Sequence, residues 1–223
     1  MNIVVFTNNS LRHKFFANTL VAAADSALVV AECKPMHAPT VELAGASDLM
    51  RKHFELRTET EQKFFGAHDA FSAPTMPIIH KEVNLPYVYT VVEQFKPDIA
   101  FVFGSWIIKE PLLSLIPRGR FINLHLGLSP YYRGSGTNFW PFVNRELEYV
   151  GSTILHINAG IDAGDIIAHT RPVLKVGDNV HTVGCKVVQD SMRVLLRIIS
   201  LVRTGDKLPR VPQWKDAIDR YYR

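Results

Sequence analysis

Three side chains in this sequence have the types and spacing to do chemistry. In Phe121-Ile-Asn-Leu-His125, Asn123 and His125 sit two residues apart in an otherwise apolar run. A strand from Phe121 to Leu126 turns residues two apart to the same face, so the amide and the imidazole share one side. An amide N–H and a protonated imidazole can both donate to one oxygen, which is what an acyl transfer needs when its carbonyl becomes an oxyanion. Asp162 lies in Gly160-Ile-Asp-Ala-Gly-Asp165, a glycine-rich turn between two strands. A carboxylate beside a histidine fixes the ring's orientation and favours its protonated form. Folded against His125, Asp162 completes an Asn/His/Asp trio. Taken singly, an Asn-x-His at a strand end is more often a polar cap, and the glycine-rich turn would be a hairpin in most proteins.

The elements that must position these groups read as alternating strands and helices. Ile3 to Phe6 is a β-rich run, followed by the polar patch Thr7 to Ser10 and a helical pattern of Leu11, Phe15, Phe16, Leu20 and Ala23 capped by Asn9 or Ser10. Ala27 to Cys33 reads as a second strand. Residues 34 to 85 are least legible: Leu49 to Phe65 suggests an exposed helix with a thin apolar face, and Ser72 to Pro77 a proline loop. Pro86 opens a helix that Lys96-Pro97-Asp98 stops. Ile99 to Phe103 is a continuous apolar strand, Ile107 to Ile116 a short helix, and Gly127 to Gly136 a loop at the carboxyl end of the Phe121 strand, the edge where open α/β sheets bind ligands. A helix over 137–144, strands over 152–158 and 166–173, and a long helix follow. That helix has a 3.6-residue period from Val180 to Val202, with Asp178 or Asn179 at its start and Gly205 at its end. The alternation predicts an α/β fold, a Rossmann-like open, mostly parallel twisted sheet with helices on both faces. Residues 1–205 are expected to form one catalytic domain and 206–223 a short irregular tail.

Composition sets the outer limits. The 223 residues are 47% hydrophobic and 21% charged, enough for a full core and not the profile of a disordered chain. The net charge of +4 comes from scattered Lys and Arg, which suits anionic small molecules and no nucleic-acid stripe. Cys33 and Cys185 form no CxxC pair, so a reducing compartment is the default. No stretch approaches the ~20 apolar residues of a membrane span, and the N-terminal run is too short for a secretory signal. A soluble cytoplasmic protein without a membrane partner is expected.

The segments Ile122-Asn-Leu-His-Leu-Gly-Leu-Ser-Pro-Tyr-Tyr-Arg-Gly134, Val150-Gly-Ser-Thr-Ile-Leu-His156 and Gly160-Ile-Asp-Ala-Gly-Asp-Ile-Ile167, in that order, resemble the folate-dependent formyltransferase family. Pro97-Asp98 and Gly104 match it as well, and the only visible departure is Leu126, where the family often has proline. The resemblance is dense from about 97 to 170, weaker from 1 to 33 and thin from 34 to 85. It implies Asn123, His125 and Asp162 as catalytic residues and 10-formyltetrahydrofolate as formyl donor. The pterin would lie against the main chain of Ser105, Trp106 and Ile107 and against the turn Ala159, Gly160, Ile161 and Asp162. For Trp106, ordinary core packing is an equal alternative. The amine would attack the formyl carbon while Asn123 and protonated His125 hold the oxyanion and Asp162 supports the histidine.

The acceptor is narrowed by elimination within that resemblance. Only 21 residues follow Val202, too few for the additional tRNA domain of methionyl-tRNA formyltransferases. The glycinamide ribonucleotide enzymes have a glycine-rich phosphate loop after the first strand, whereas Thr7 to His13 contains no glycine. Asn9 and Arg12 could still meet an anion there, although helix capping is the simpler role. The preferred acceptor is a small-molecule amine, an amino sugar carried on a nucleotide, with Tyr131, Tyr132, Arg133, Phe139 and Trp140 available for stacking and phosphate contact. A homodimer is left open. The alternatives are glycinamide ribonucleotide formyltransferase, a formyltetrahydrofolate hydrolase, and a non-catalytic folate- or nucleotide-binding module. A metal hydrolase using His125, Asp162 and His156 or His169 lacks the close histidine spacing of metal sites, so no metal is expected.

Overall fold

The computed structural model describes residues 1–33, 47–158, 160–216 and 218–222. Seven strands make one sheet: β1 (Asn2–Asn8), β2 (Ser26–Cys33), β3 (Thr75–Ile79), β4 (Ile99–Val102), β5 (Phe121–His125), β7 (Ser152–His156) and β8 (Ile166–Thr170), in the order β3-β2-β1-β4-β5-β7-β8. The first five run parallel, while β7 is antiparallel to both β5 and β8. β6 (Tyr132–Gly134) and β9 (Arg220–Tyr222) form a separate parallel pair.

Period-two alternation divides the core between the two faces. Ile3 and Val5 of β1 pack with α1 (Leu11–Val21), α2 (Asp48–Phe65) and α5 (Val180–Thr204), through Phe16, Leu20, Phe65, Val188, Leu195 and Ile199. Val4 and Phe6 face the other way, onto Val88 and Val92 of α3 (Pro86–Phe95) and onto Ile108, Leu112 and Ile116. The expected α/β fold with helices on both faces is therefore the observed one. A short α4 (Trp140–Asn144) lies outside these layers, between β6 and β7 in the chain.

Local rules explain most boundaries. Asn179 caps α5 with a reciprocal bond to Thr182, Gly205 ends it, and Pro86 opens α3. Helix α2 buries only Thr60, Glu61 and Phe65, which is why its apolar face is thin in the sequence. It is held to α1 by the Phe15–Phe65 stack and by Arg12, whose guanidinium meets Glu61 at 2.6 Å.

Four expectations are corrected. The proline segment 72–77 contributes Thr75, Met76 and Pro77 to β3, and this is tolerated because β3 is an edge strand where a missing N–H leaves no broken ladder. Ile107 to Ile116 is not a helix: only Leu112–Leu115 forms a 3₁₀ turn, because Pro111 removes a donor and restricts the residue before it. Helix 137–144 begins only at Trp140, with Pro141 in its first turn. The segment after Gly205 is not a free tail. It bridges Val211 to Ile166 and adds β9 to β6.

The first turn of α5 meets α2 through His181 and His53, whose ring centroids are 4.5 Å apart. Burial, then the positive charges of His53, Arg57 and Arg12, push His181 down to about 4 from its ordinary 6.5. Between those values the unfolded chain binds a proton that the folded chain does not, so stability falls as pH falls through this window. Wild-type unfolding free energy, measured in urea, should be lower by about 2 kcal/mol at pH 5 than at pH 7 from this group alone. A His181→Asn variant should show a flatter pH dependence, and an identical slope in both proteins would clear His181 of that role.

Candidate active site

Strand β5 places the first two groups. Ile122 and Leu124 enter the core beneath α1 and α5, which turns Asn123 and His125 to the opposite face, with His125 6% exposed. The turn between β7 and β8 folds over that face and brings the Asp162 carboxylate to both. Asn123 Nδ2 donates to Asp162 Oδ1 at 3.1 Å, and His125 Nδ1 lies 3.2 Å from Oδ2. The backbone N–H of Gly134 in β6 also donates to Oδ2, at 3.2 Å. The expected trio is assembled, with a backbone amide as a fourth member.

The turn itself is demanding. Asp162 adopts a left-handed conformation, φ 49°, where a non-glycine side chain is disfavoured. At Gly164 an added Cβ would stand 1.7 Å from the His156 carbonyl oxygen, so the turn approaches β7 too closely for any side chain. Gln213 reaches in from the segment after α5, its Nε2 donating to the carbonyls of Asp162 at 2.7 Å and Gly164 at 2.9 Å.

The other nitrogen of His125, Nε2, is 2.9 Å from the carbonyl oxygen of Tyr132. A carbonyl only accepts, so Nε2 carries a hydrogen, and only the doubly protonated ring donates both to that carbonyl and to Asp162. Tyr132 is fully buried; its hydroxyl donates to Glu146 and accepts from Asn144 Nδ2 at 2.8 Å. Arg220 of β9 meets the same Glu146 at 2.9 Å, and Tyr222 stacks on Trp140 at 4.5 Å with the planes 6° apart. Burial, then the bond to Glu146, push the Tyr132 phenol up to about 12.

A cleft of about 520 Å³ lies on the same sheet face, lined by Ile107, Ile108, Leu113, Ile116, Ile157 and Asn158 among others. This is within the range of small-molecule sites and mainly apolar. Of the residues expected at a folate, Ile107 lines it. Gly160 and Ile161 are exposed at the turn, and Ala159 lies outside the described residues. Ser105 Oγ and the Trp106 N–H both donate to Glu32 Oε1, so that backbone donor is occupied. Trp106 is 38% exposed rather than core, with the Lys81 ammonium 4.9 Å from its ring centre.

Three of the four expected acceptor-binding residues are engaged by protein partners, and Arg133 stands between Tyr132 and Gly134, which hold His125 and Asp162. Arg12 is engaged by Glu61, which Arg57 also holds at 2.7 Å; burial raises this carboxyl, but the two guanidiniums outweigh it and keep it below its ordinary value. Arg133 pairs with Asp219 at 2.8 Å, and Tyr131 packs against Tyr149 and Trp214. Asn9 is half-buried beside the Ser10 cap, whose N–H and hydroxyl both donate to Asn8. The arginines are thus committed to carboxylates because partly buried cations require them. His156 and His169 donate to the carbonyls of Pro209 and Ser129 and do not join His125 and Asp162. Among the described residues no group of three or more His, Cys, Asp or Glu could hold a metal ion.

Sequence reasoning missed Glu32, Gly134 and Gln213, and it offered Tyr132 for stacking on a ligand, whereas the ring is fully buried. Glu32 had a signal: an acid inside the apolar run Ala27 to Cys33 must find partners, and its other oxygen is met by His80 Nδ1 at 2.8 Å. Gly134 and the Tyr132 carbonyl act through backbone atoms, which leave no side-chain signature. Gln213 sits in a stretch without periodicity.

Comparison with known proteins adds the following. The sequence model of the family described as formyl transferase matches residues 70–199, more than half of the chain. The methionyl-tRNA formyltransferase of Desulforamulus reducens is 35% identical over 123 residues, which are 55% of this chain and 38% of that protein. The chain thus matches well under half the length of that relative. Among solved structures, the glycinamide ribonucleotide transformylase 1 of Symbiobacterium toebii superposes with a TM-score of 0.65 at 16% identity, covering 97% of this chain and 94% of that one. The formyltransferase PseJ of Anoxybacillus kamchatkensis, in complex with UDP-4,6-dideoxy-4-formamido-L-AltNAc and tetrahydrofolate, gives 0.60 at 18% identity, covering 100% and 85%. At these identities the structural likeness shows the shared fold alone.

The Tyr132 network yields a pH-dependent test. Removing the hydroxyl in Tyr132→Phe leaves Glu146 and Asn144 short of a partner and should cost about 1–3 kcal/mol of stability at neutral pH. Above pH 10 the unfolded phenol ionises while the folded one keeps its proton until about 12, so the wild type loses stability as pH rises through this window. The gap between wild type and variant, read from guanidinium unfolding curves, should therefore narrow from pH 10 upward. A constant gap would place the raised phenol elsewhere.

Proposed function

The chain belongs to the formyl transferase family, and from that premise we propose that it moves a formyl group from 10-formyltetrahydrofolate to the amine of a nucleotide-linked amino sugar. The observation that carries the proposal is the meeting of Asn123, His125 and Asp162 within 3.2 Å on one face of β5. As an amine adds to a formyl carbon, the formyl oxygen gathers negative charge and needs donors already in place. Asn123 keeps a second amide hydrogen beyond the one given to Asp162, and His125 Nδ1 points the same way. Their bonds to Asp162, at 3.1 and 3.2 Å, are at the long end for N–H···O and are the ones that yield to a better acceptor. Asp162 orients the imidazole, and takes part in removing the proton of the attacking amine through water.

The apolar cleft beside Ile107 and Asn158 suits a flat ring, which is where the folate would bind, between the segment after β4 and the start of the Asp162 turn. When bound, the folate supplies the formyl carbon. For the acceptor, two observations favour a nucleotide sugar over glycinamide ribonucleotide. The loop after β1 has no glycine and its polar groups bond one another, with Asn8 serving both Ser10 and the carbonyl of Gly104. Phe139 presents a ring that is 40% exposed, open to stacking on a base or sugar. Residues 1–205 carry the reacting groups, while Gln213 and β9 of the following segment hold the Asp162 turn and β6. The proposed location is cytoplasmic, and among the described residues no helix is long and apolar enough to cross a membrane.

Turnover with 10-formyltetrahydrofolate and a panel of nucleotide-linked amino sugars, followed by release of tetrahydrofolate, tests the proposal. Release that depends on one sugar is expected; release with glycinamide ribonucleotide alone, or with no amine, would reassign the acceptor or make the protein a hydrolase. His125→Ala should lower transfer by on the order of 10²- to 10⁴-fold while folate binding stays within a few-fold. Turnover near the wild-type rate in that variant would remove His125 from the mechanism.

A further inference from the structure

We propose that Gln213 is a positioning residue for formyl transfer, holding the Asp162 turn so that its carboxylate stays against Asn123 and His125; this rests on the function proposed for that site. The amide's orientation is fixed by its surroundings. Nε2 faces two carbonyls, those of Asp162 and Gly164, and turning the amide over would set oxygen against oxygen. In that orientation Gln213 Oε1 is buried with no hydrogen-bond partner. A residue kept only to fill space would be better apolar, since it would leave no buried acceptor unsatisfied. The amide is therefore retained for what Nε2 does, and Nε2 clamps the strained residue of the turn together with the glycine where it passes closest to β7. Asp162 is left-handed at φ 49°, and Gly164 is pressed against the His156 carbonyl.

The segment that delivers Gln213 is anchored on both sides of it. Val211 exchanges backbone bonds with Ile166 at 2.8 and 3.0 Å, Arg210 pairs with Asp165 at 3.0 Å, and Trp214 packs edge-on to Tyr131. Further on, β9 pairs with β6, the strand whose Gly134 N–H and Tyr132 carbonyl hold Asp162 and His125. Tyr131 and Arg133 thus serve this segment, and through it the catalytic turn.

The test compares wild type with Gln213→Leu, which keeps the bulk and loses the donor, and with Asp219→Asn, which loosens the same segment at Arg133 without touching Asp162. Gln213→Leu should lower kcat by on the order of 10- to 100-fold, the cost of a small misplacement of a reacting group. It should also move the kcat–pH profile along the pH axis, while Asp219→Asn stays within about 2-fold with an unmoved profile. A uniform loss at every pH, or an equal loss in Asp219→Asn, would reduce Gln213 to a generic structural contact and overturn the proposal. Hydrogen exchange over residues 157–167 reads the same point without turnover. Faster exchange in Gln213→Leu alone is expected, and equal exchange in all three proteins would overturn it even if the wild type transferred no formyl group to any amine. That absence of transfer would count against the proposed function and not against the clamp.

Discussion

A single carboxylate, that of Asp162, is where the parts of this molecule are brought to a common point. Its side chain is only 13% exposed, and an anion so far removed from water is stable only when fixed donors replace the solvent. Three donors do so, from two separate strands: Asn123 and His125 from β5, and the Gly134 N–H from β6. The chain must therefore hold β5, β6 and the turn between β7 and β8 in fixed relation before any chemistry can occur. Much of what looks irregular outside the main sheet serves that requirement.

The sheet meets the first part of it by changing direction at the site. β5 is the last parallel strand, and β7 returns antiparallel beside it, with Thr153 opposite His125. Thr153 then uses its hydroxyl twice, donating to the Gly127 carbonyl at 2.6 Å and accepting from the Ser129 N–H at 2.8 Å. This fixes the path of the loop that leaves His125 and leads to β6. Leu126, where the resembled family often has proline, leaves that path intact: its carbonyl accepts from Thr137. The turn carrying Asp162 is the strained counterpart, since a left-handed non-glycine residue stores energy that neighbouring bonds must offset, and only a glycine fits at position 164.

How much of this the sequence discloses follows from which physical signals are periodic. Strands β1, β2, β4 and β5 stand out as short apolar runs bounded by polar or turn residues, and helices α1 and α5 because their apolar residues repeat at 3.6 positions between capping residues. Asn123, His125 and Asp162 stand out because side chains of unusual type sit in otherwise apolar or glycine-rich settings. Nothing comparable marks Gln213, or the backbone atoms of Tyr132 and Gly134, whose value arises only from where the fold places them. β3 was hidden by its prolines, which an edge strand tolerates. Arg12 and Arg133 looked like free cations because a sequence does not reveal that Glu61 and Asp219 stand opposite them.

Those ion pairs bear on how an anionic ligand could be recognised. A net charge of +4 spread over the chain suggests attraction for anions, yet Arg12 and Arg57 share Glu61, Arg133 is held by Asp219 and Arg210 by Asp165. Each such pair gives up most of its field at distances beyond the pair itself, and salt screens what is left. Lys109 and Arg118, by contrast, line the cleft beside Ile107 and Asn158. On the proposed function these basic groups, with Glu110 beside them, would face the folate, and the acceptor side would be left to shape and stacking around Phe139. On that division of labour, charge would hold the donor while an aromatic surface selects the amine.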